Sequence, residues 1–467
     1  MGRGYTRGIR SMNDDVFIGD PDKHRNRLTR CSEWLGMASL WLFVASIALS
    51  TAGMYLGLTG MLASILGTAR PFWSWAKSRA VFWPALALTA WILIGFAGGS
   101  PYDVPPATAS DATRDLLRLA GIPALIVGWW LVRLREQWQL LFLVAALGLL
   151  ATVLLQFDWS DPASYFDRRR PSFGLGGNGL SVYGVVLVIG CLTVGRSMLV
   201  RIEAHDPVTV QRVLVWGVLV ALGIFLFFVG QSRSVWLATV LVAGLLAALT
   251  VYRHGLSTVA AGLRARPRRV VAIVLGCALL LIPFGPVIIE RVIHESATWN
   301  ALFALQLDHI PSTSIGYRIA MWWIALEQIV AHPVAGVGAG AAETIMAASD
   351  NPILDGRTFP HFHNAYLEVA VSLGLPGFVL FVALFLALAL PAVRALRAPN
   401  RQQRMFGHFV VLTGLMIGVT SLFQIRFDDP PGMALCVFLS GCALACGNER
   451  TVMGSVTSAG NRGDSRQ

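Results

Sequence analysis

Long apolar runs alternate with short polar gaps along this chain. Runs fall at about 34–50, 52–67, 81–99, 113–133, 137–156, 178–198, 211–230, 234–252, 269–290, 376–394, 406–423 and 431–447. Most approach the ~20 apolar residues that a helix needs to cross a bilayer. The pattern predicts an all-α integral membrane protein with about 12 transmembrane helices. Residues 1–33 and 448–467 form polar tails, and 34–290 carry the first nine helices. The stretch 291–375 is a large loop, and 376–447 carry the last three helices.

Charge sets the orientation. Arg70, Lys77 and Arg79 follow the second run, and Arg133 and Arg135 the fourth. Arg196, Arg201 and Arg212 follow the sixth, Arg253 and Arg264 to Arg269 the eighth, and Arg394 to Arg404 the tenth. Every even-numbered gap is basic, which places those loops and both termini in the cytoplasm. No signal peptide is visible, because nothing before Leu35 resembles its apolar core.

At 467 residues, 55% hydrophobic and 13% charged, the chain is too apolar for an ordinary soluble protein. Its net charge of +11 is scattered between the apolar runs, so nucleic acid is not an expected partner. Cys31, Cys191, Cys277, Cys436, Cys442 and Cys446 form no CxxC pair and point to neither a disulfide framework nor a metal knuckle.

The expected outer face holds the chemistry. His361, His363, Asn364, Tyr366 and Glu368 crowd one short stretch between apolar blocks. Titratable groups at a membrane surface are candidates for function. The bland reading of His363 is an interfacial histidine with a hydrogen-bonded partner, and Tyr366 reads as interface packing. Arg168 to Arg170, Arg233, Arg318 and Arg426 lie on the side where topology does not favour arginine. Snorkelling or a surface ion pair is their plain explanation. Ile319, Trp322, Trp323, Leu326, Ile329 and Val330 recur at helical spacing and predict an interfacial helix. Ser312, Thr313 or Ser314 can cap it, and His332-Pro333 ends it. Gly336-Val337-Gly338-Ala339-Gly340 lacks the strand and spacing of a dinucleotide fingerprint and reads as a flexible turn beneath the site.

His363-Asn364, nine intervening residues and Gly374-Leu375 together resemble the signature of the O-antigen ligase and polysaccharide polymerase superfamily. Arg170 through Gly174 to Asn178, Gln231-Ser232-Arg233, and Arg318 with Trp322, Pro333 and Gly336-Val337-Gly338 follow in that family's order. Ser234 departs from it, since many relatives have Gly there. The resemblance implies a GT-C-like membrane glycosyltransferase with a large periplasmic loop in the bacterial inner membrane. It implies transfer of a glycan from undecaprenyl diphosphate to lipid A–core, or, in a polymerase, to another lipid-linked repeat. It implies no nucleotide sugar or cofactor and, for a ligase, no divalent metal. Arg170, Arg233 and Arg318 would hold the diphosphate, since guanidinium pairs with phosphate oxygens. His363 would act as general base, or else position the acceptor or contact the diphosphate. Asn364 would orient a sugar or fix the loop, and Glu368 would pair with Arg318. His361, Tyr366 and Asn178 are supporting candidates. The competing class is a secondary transporter, although the runs are nearly free of charge and no repeat between halves is visible.

Overall fold

The computed structural model describes residues 27–166, 171–195, 207–265, 295–304, 310–425 and 429–447, with 267–268, 271, 285, 289–290, 293 and 306. Residues 1–26 and 448–467, Arg168 to Arg170, Arg426 and nearly all of the ninth run lie outside the described residues, and the last part of the first tail, from Arg27, belongs to the first helix. No strand occurs among those described.

The helices follow the apolar runs. They are α1 (Arg27–Ser46), α2 (Thr51–Ser64), α3 (Ala69–Lys77), α4 (Phe82–Gly98), α5 (Pro106–Leu119), α6 (Ile122–Arg133) and α7 (Trp138–Gln156). Next come α8 (Gly177–Gly190), α9 (Pro207–Val229), α10 (Arg233–His254) and α11 (Leu256–Arg264). The last are α12 (Ser296–Phe303), α13 (Ser314–Ala331), α14 (Ala342–Ala347), α15 (Ala365–Ala395), α16 (Arg401–Thr420) and α17 (Pro430–Ala445). Among the described residues, seven helical stretches are long and apolar enough to cross a membrane. Helices α4 and α17 are apolar but shorter. The ends of α1 and α16 carry charge, with Arg30 and Glu33 in one and Arg401 and Arg404 in the other. Small residues let helices approach closely, as apolar packing within a bilayer requires. A Cβ on Gly184 of α8 would sit 2.5 Å from the Gly223 carbonyl of α9.

Two runs depart from the simple pattern. The fourth is broken at Gly121 (φ 90°), and Pro123 starts α6. Its first half, α5, is amphipathic and carries i,i+3 ion pairs, Arg114 to Asp111 and Arg118 to Asp115. The tenth is already helical from Ala365, and the chain breaks at Gly374 (φ 67°, ψ 179°) before continuing as the apolar run.

That break is held by neighbouring segments. Pro376 has no N–H, so the Ser372 carbonyl loses its helical donor, and the Gly338 N–H donates to it at 3.2 Å. Leu375 N–H donates to the Pro333 carbonyl at 2.8 Å, and Val337 N–H takes the Val371 carbonyl at 2.8 Å. Trp91 Nε1 of α4 donates to the Leu373 carbonyl at 2.9 Å. A Cβ on Gly336 would lie 2.6 Å from the Gly374 nitrogen. The turn at 336–340 is therefore pinned to the break, and the flexible turn expected from its glycines is corrected.

The bundle has two distinct ends. At one, Arg135 Nη2 donates to the Ala445 carbonyl at 3.5 Å, Gln402 Nε2 to the Arg135 carbonyl at 3.0 Å, and Gln403 Nε2 to the Cys446 carbonyl at 2.7 Å. Basic gaps far apart in sequence thus meet there. At the other end, Ala365 N–H donates to the Ser421 carbonyl at 2.9 Å, and Ser100 Oγ to the Val337 carbonyl at 2.5 Å. The segment around α13 and α14 has its own core there, built on Met321, Ile324, Val337, Ile345 and Phe362.

Candidate active site

Alternation positions the histidine loop. Phe362 is fully buried in that core, so the residues on either side of it turn away and meet each other. The His361 and His363 rings are edge to face with centroids 4.3 Å apart. His363 has a left-handed backbone (φ 52°), an uncommon conformation for a side chain of this kind. His363 N–H donates to His361 Nδ1 at 3.3 Å, closing a local turn like those made by Asn and Asp. His361 is therefore a positioning residue for His363. We expect His361→Asn, which keeps an acceptor at that place, to retain most transfer, and His361→Ala to lose several-fold. Equal losses in the two variants, measured as initial rates, would refute this role.

Asn364 fixes the loop. It is the N-cap of α15, and its Oδ1 accepts from the N–H groups of Tyr366 at 3.0 Å and Leu367 at 3.2 Å. Glu368 Oε2 accepts from Phe362 N–H at 3.0 Å. Tyr366 hydroxyl donates to the Gly418 carbonyl at 2.8 Å, tying α15 to α16. Three of the polar residues that drew attention in the sequence thus hold the loop in shape.

Helix α13 supplies the facing wall. Thr313 caps it by accepting from Gly316 N–H at 3.2 Å, and it ends at Ala331. Its buried face is Gly316, Ala320, Met321, Ile324 and Ala325, packed on the core beneath. Trp323, Leu326 and Val330, from the stripe that reads as an interfacial face, point outward and are exposed. Small residues next to the aromatic stripe win the tight interface, and the stripe is left for the lipid side.

Arg318 projects from the first turns of α13. Its Nη1 donates to Ser314 Oγ at 3.1 Å, so it engages its own helix and not Glu368, as the sequence had suggested. Its Nε is buried with no hydrogen-bond partner among the described residues. With Ser314, Tyr317, Arg357, Phe359 and His363, Arg318 lines a cavity of about 470 Å³. Arg357 lies over the Tyr317 ring at 5.3 Å.

Arg318 also lines a second cavity, a groove of about 460 Å³ with Arg233, Trp299, Leu302, Ile319 and Trp322. Arg233 is the first residue of α10, after a turn where Gln231 has φ 46°. Its Nη1 forms an ion pair with Glu295 Oε1 at 2.7 Å. The Glu295 side chain is only 3% exposed, and its other oxygen accepts from Ile315 N–H at 3.3 Å. One carboxylate therefore ties α10 to α13. Burial, and then the Arg233 cation, push the Arg318 guanidinium below its usual range, while Glu295 pulls it back. Two arginines share one carboxylate here, which leaves net positive charge beside an apolar groove.

Asn178 lies half-buried in the first turn of α8, which packs against Gly230 just before the Arg233 turn, and lines neither cavity. Arg170 lies outside the described residues. Glu295, Phe362 and Arg357 were not singled out in the sequence. Phe362 was findable from the alternation His-Phe-His. Glu295 gave no signal, because its burial depends on contacts distant in sequence. Among the described residues, no group of three or more His, Cys, Asp or Glu side chains is placed to hold a metal ion.

Many apolar helices and a polar site at one bundle end define a multi-pass membrane protein. Residues 218–382 match the family model described as O-Antigen ligase, which includes α10, Arg233, Arg318, His363 and the break at Gly374. The match covers about a third of the chain and supports the resemblance to the O-antigen ligase and polysaccharide polymerase superfamily. No curated protein matches the chain.

Proposed function

We propose that this protein moves a glycan from undecaprenyl diphosphate to an acceptor sugar, of the kind carried by lipid A–core, at the periplasmic face of the bacterial inner membrane. The observation that carries this reading is the position of Arg318 in the walls of both cavities. The apolar groove suits a polyprenyl chain, and the polar chamber suits sugars. The diphosphate would sit between them, against Arg318 and Arg233, with Arg170 as a further ligand. Guanidinium charge in place of a divalent ion would take up the charge of the leaving diphosphate.

In the chamber, the acceptor hydroxyl attacks the anomeric carbon of the donor. Its proton passes to His363, the new glycosidic bond forms, and the bond to the diphosphate oxygen breaks. Only neutral imidazole can take that proton, so transfer is expected to fall at acid pH. Arg233 would hold its phosphate oxygens while anchored to Glu295. Arg233→Lys is expected to be nearly as damaging as Arg233→Ala, because a point charge reproduces neither contact. Full activity in the Lys variant, at equal membrane abundance, would show that charge alone matters there.

The reading is tested by reconstituting purified protein with undecaprenyl-diphosphate glycan and either lipid A–core or a second lipid-linked unit. Transfer to the first supports the ligase, and transfer to the second the polymerase. Absence of both, without a gradient, would favour transport. Twelve spans with both termini cytoplasmic follow from the basic even-numbered gaps. An introduced cysteine at Asp350 should react with an impermeant thiol reagent in intact cells, and one at Arg264 should not. The opposite labelling would overturn the orientation.

A further inference from the structure

The opposite end of the bundle holds a cavity of about 660 Å³ that the transfer reaction does not use. Arg79, Arg394 and Arg397 line it with Ser74, Ser78 and Gln403. Ala387, Leu390 and Pro391 form an apolar wall that continues along α15. Among the described residues, no carboxylate lines it. The Arg79 guanidinium lies over the ring of the buried Trp75, 4.7 Å from its centroid. That stacking keeps one cation at a set place. The guanidinium groups of Arg394 and Arg397 have no ion-pair partner among the described residues, and both are exposed.

The orientation rule accounts for basic residues anywhere in these gaps. It does not require three of them, from α15, the turn that follows it and the turn after α3, to open onto one cavity beside an apolar wall. Leu386, Leu390 and Val393 of α15, together with Trp73 and Trp83, are exposed large side chains around this end. A ligand here would meet cationic donors and hydrocarbon side by side. Free phosphate has no use for the apolar wall, and a neutral lipid has none for the cations.

We propose that this cavity binds the phosphate headgroup of an anionic phospholipid. The guanidinium groups hold the phosphate, and the acyl chains run along Leu390 and Ala387 toward the bilayer. Such a lipid would brace the ends of α3 and α15 at the side of the membrane away from the transfer site. The inference is independent of what the transfer site does.

The test uses the full-length protein purified in detergent, with phosphatidylglycerol and phosphatidylcholine supplied in equal amounts and retained lipid read by native mass spectrometry. The native protein should retain phosphatidylglycerol several-fold over phosphatidylcholine. R394Q/R397Q should bring that preference close to unity. R253Q/R264Q removes the same charge from exposed positions that do not line the cavity, and should keep it. An unchanged preference in R394Q/R397Q, or an equal loss in both double variants, would overturn the site. Displacement of the lipid by millimolar inorganic phosphate alone would show an anion site and not a lipid site.

Discussion

Arg318→Ala is expected to lower glycan transfer by roughly a hundred- to a thousandfold, the scale of removing one preorganised donor from a developing charge. The physical basis is the exposure of one guanidinium to two cavities. Its Nε has no partner among the described residues, although the group is largely withdrawn from water. A buried donor left unpaired carries a desolvation cost, and an incoming diphosphate oxygen would relieve it. Burial and the nearby Arg233 cation both disfavour the charged guanidinium, so an anion between them removes a repulsion as well. The loss should therefore appear in donor affinity as well as in turnover. Lipid-donor binding and initial rates in the same preparation would check both. A variant with native affinity would place the diphosphate elsewhere.

His363→Ala is expected to cut turnover about a hundredfold or more, the usual range for a general base, while donor binding survives. The two arginines do not depend on the imidazole for their positions. Arg318 is held by Ser314, and Arg233 by Glu295. The His363 backbone is set by its neighbours, so removing the ring should leave the loop intact. Loss of donor binding in a folded His363→Ala protein would make this residue a diphosphate ligand. If neither binding nor turnover changes, His363 is an interfacial histidine.

Much of the frame was legible because apolar runs report directly on what must avoid water. The basic gaps were equally legible, and the structure brings several of them together at one end. The break at Gly374 was foreshadowed by Gly-Leu-Pro-Gly, and Thr313 by its place before α13. The fourth run hid its division, since Gly121-Ile-Pro sits within residues apolar enough to read as one helix. The partner of Arg233 was not legible at all. Glu295 reaches it across 62 positions, and only the packed structure brings the two together. Nor did the polar cluster declare its division of labour. His363 faces a cavity, whereas Asn364, Tyr366 and Glu368 hold backbone groups. Types of side chain announce a site, but their roles depend on where the chain turns.

The central claim is that lipid and glycan parts of one donor lie on opposite sides of Arg318. Photocrosslinking with donor labelled in either the polyprenyl chain or the glycan tests it most directly. A photoreactive phenylalanine analogue in place of Leu302 should capture the chain-labelled donor, and one in place of Phe359 the glycan-labelled donor. The same analogue in place of Leu388, in an apolar pocket between α15, α16 and α17, is the control and should capture neither. Capture of the chain at Leu388, with none at Leu302 or Phe359, would contradict the account.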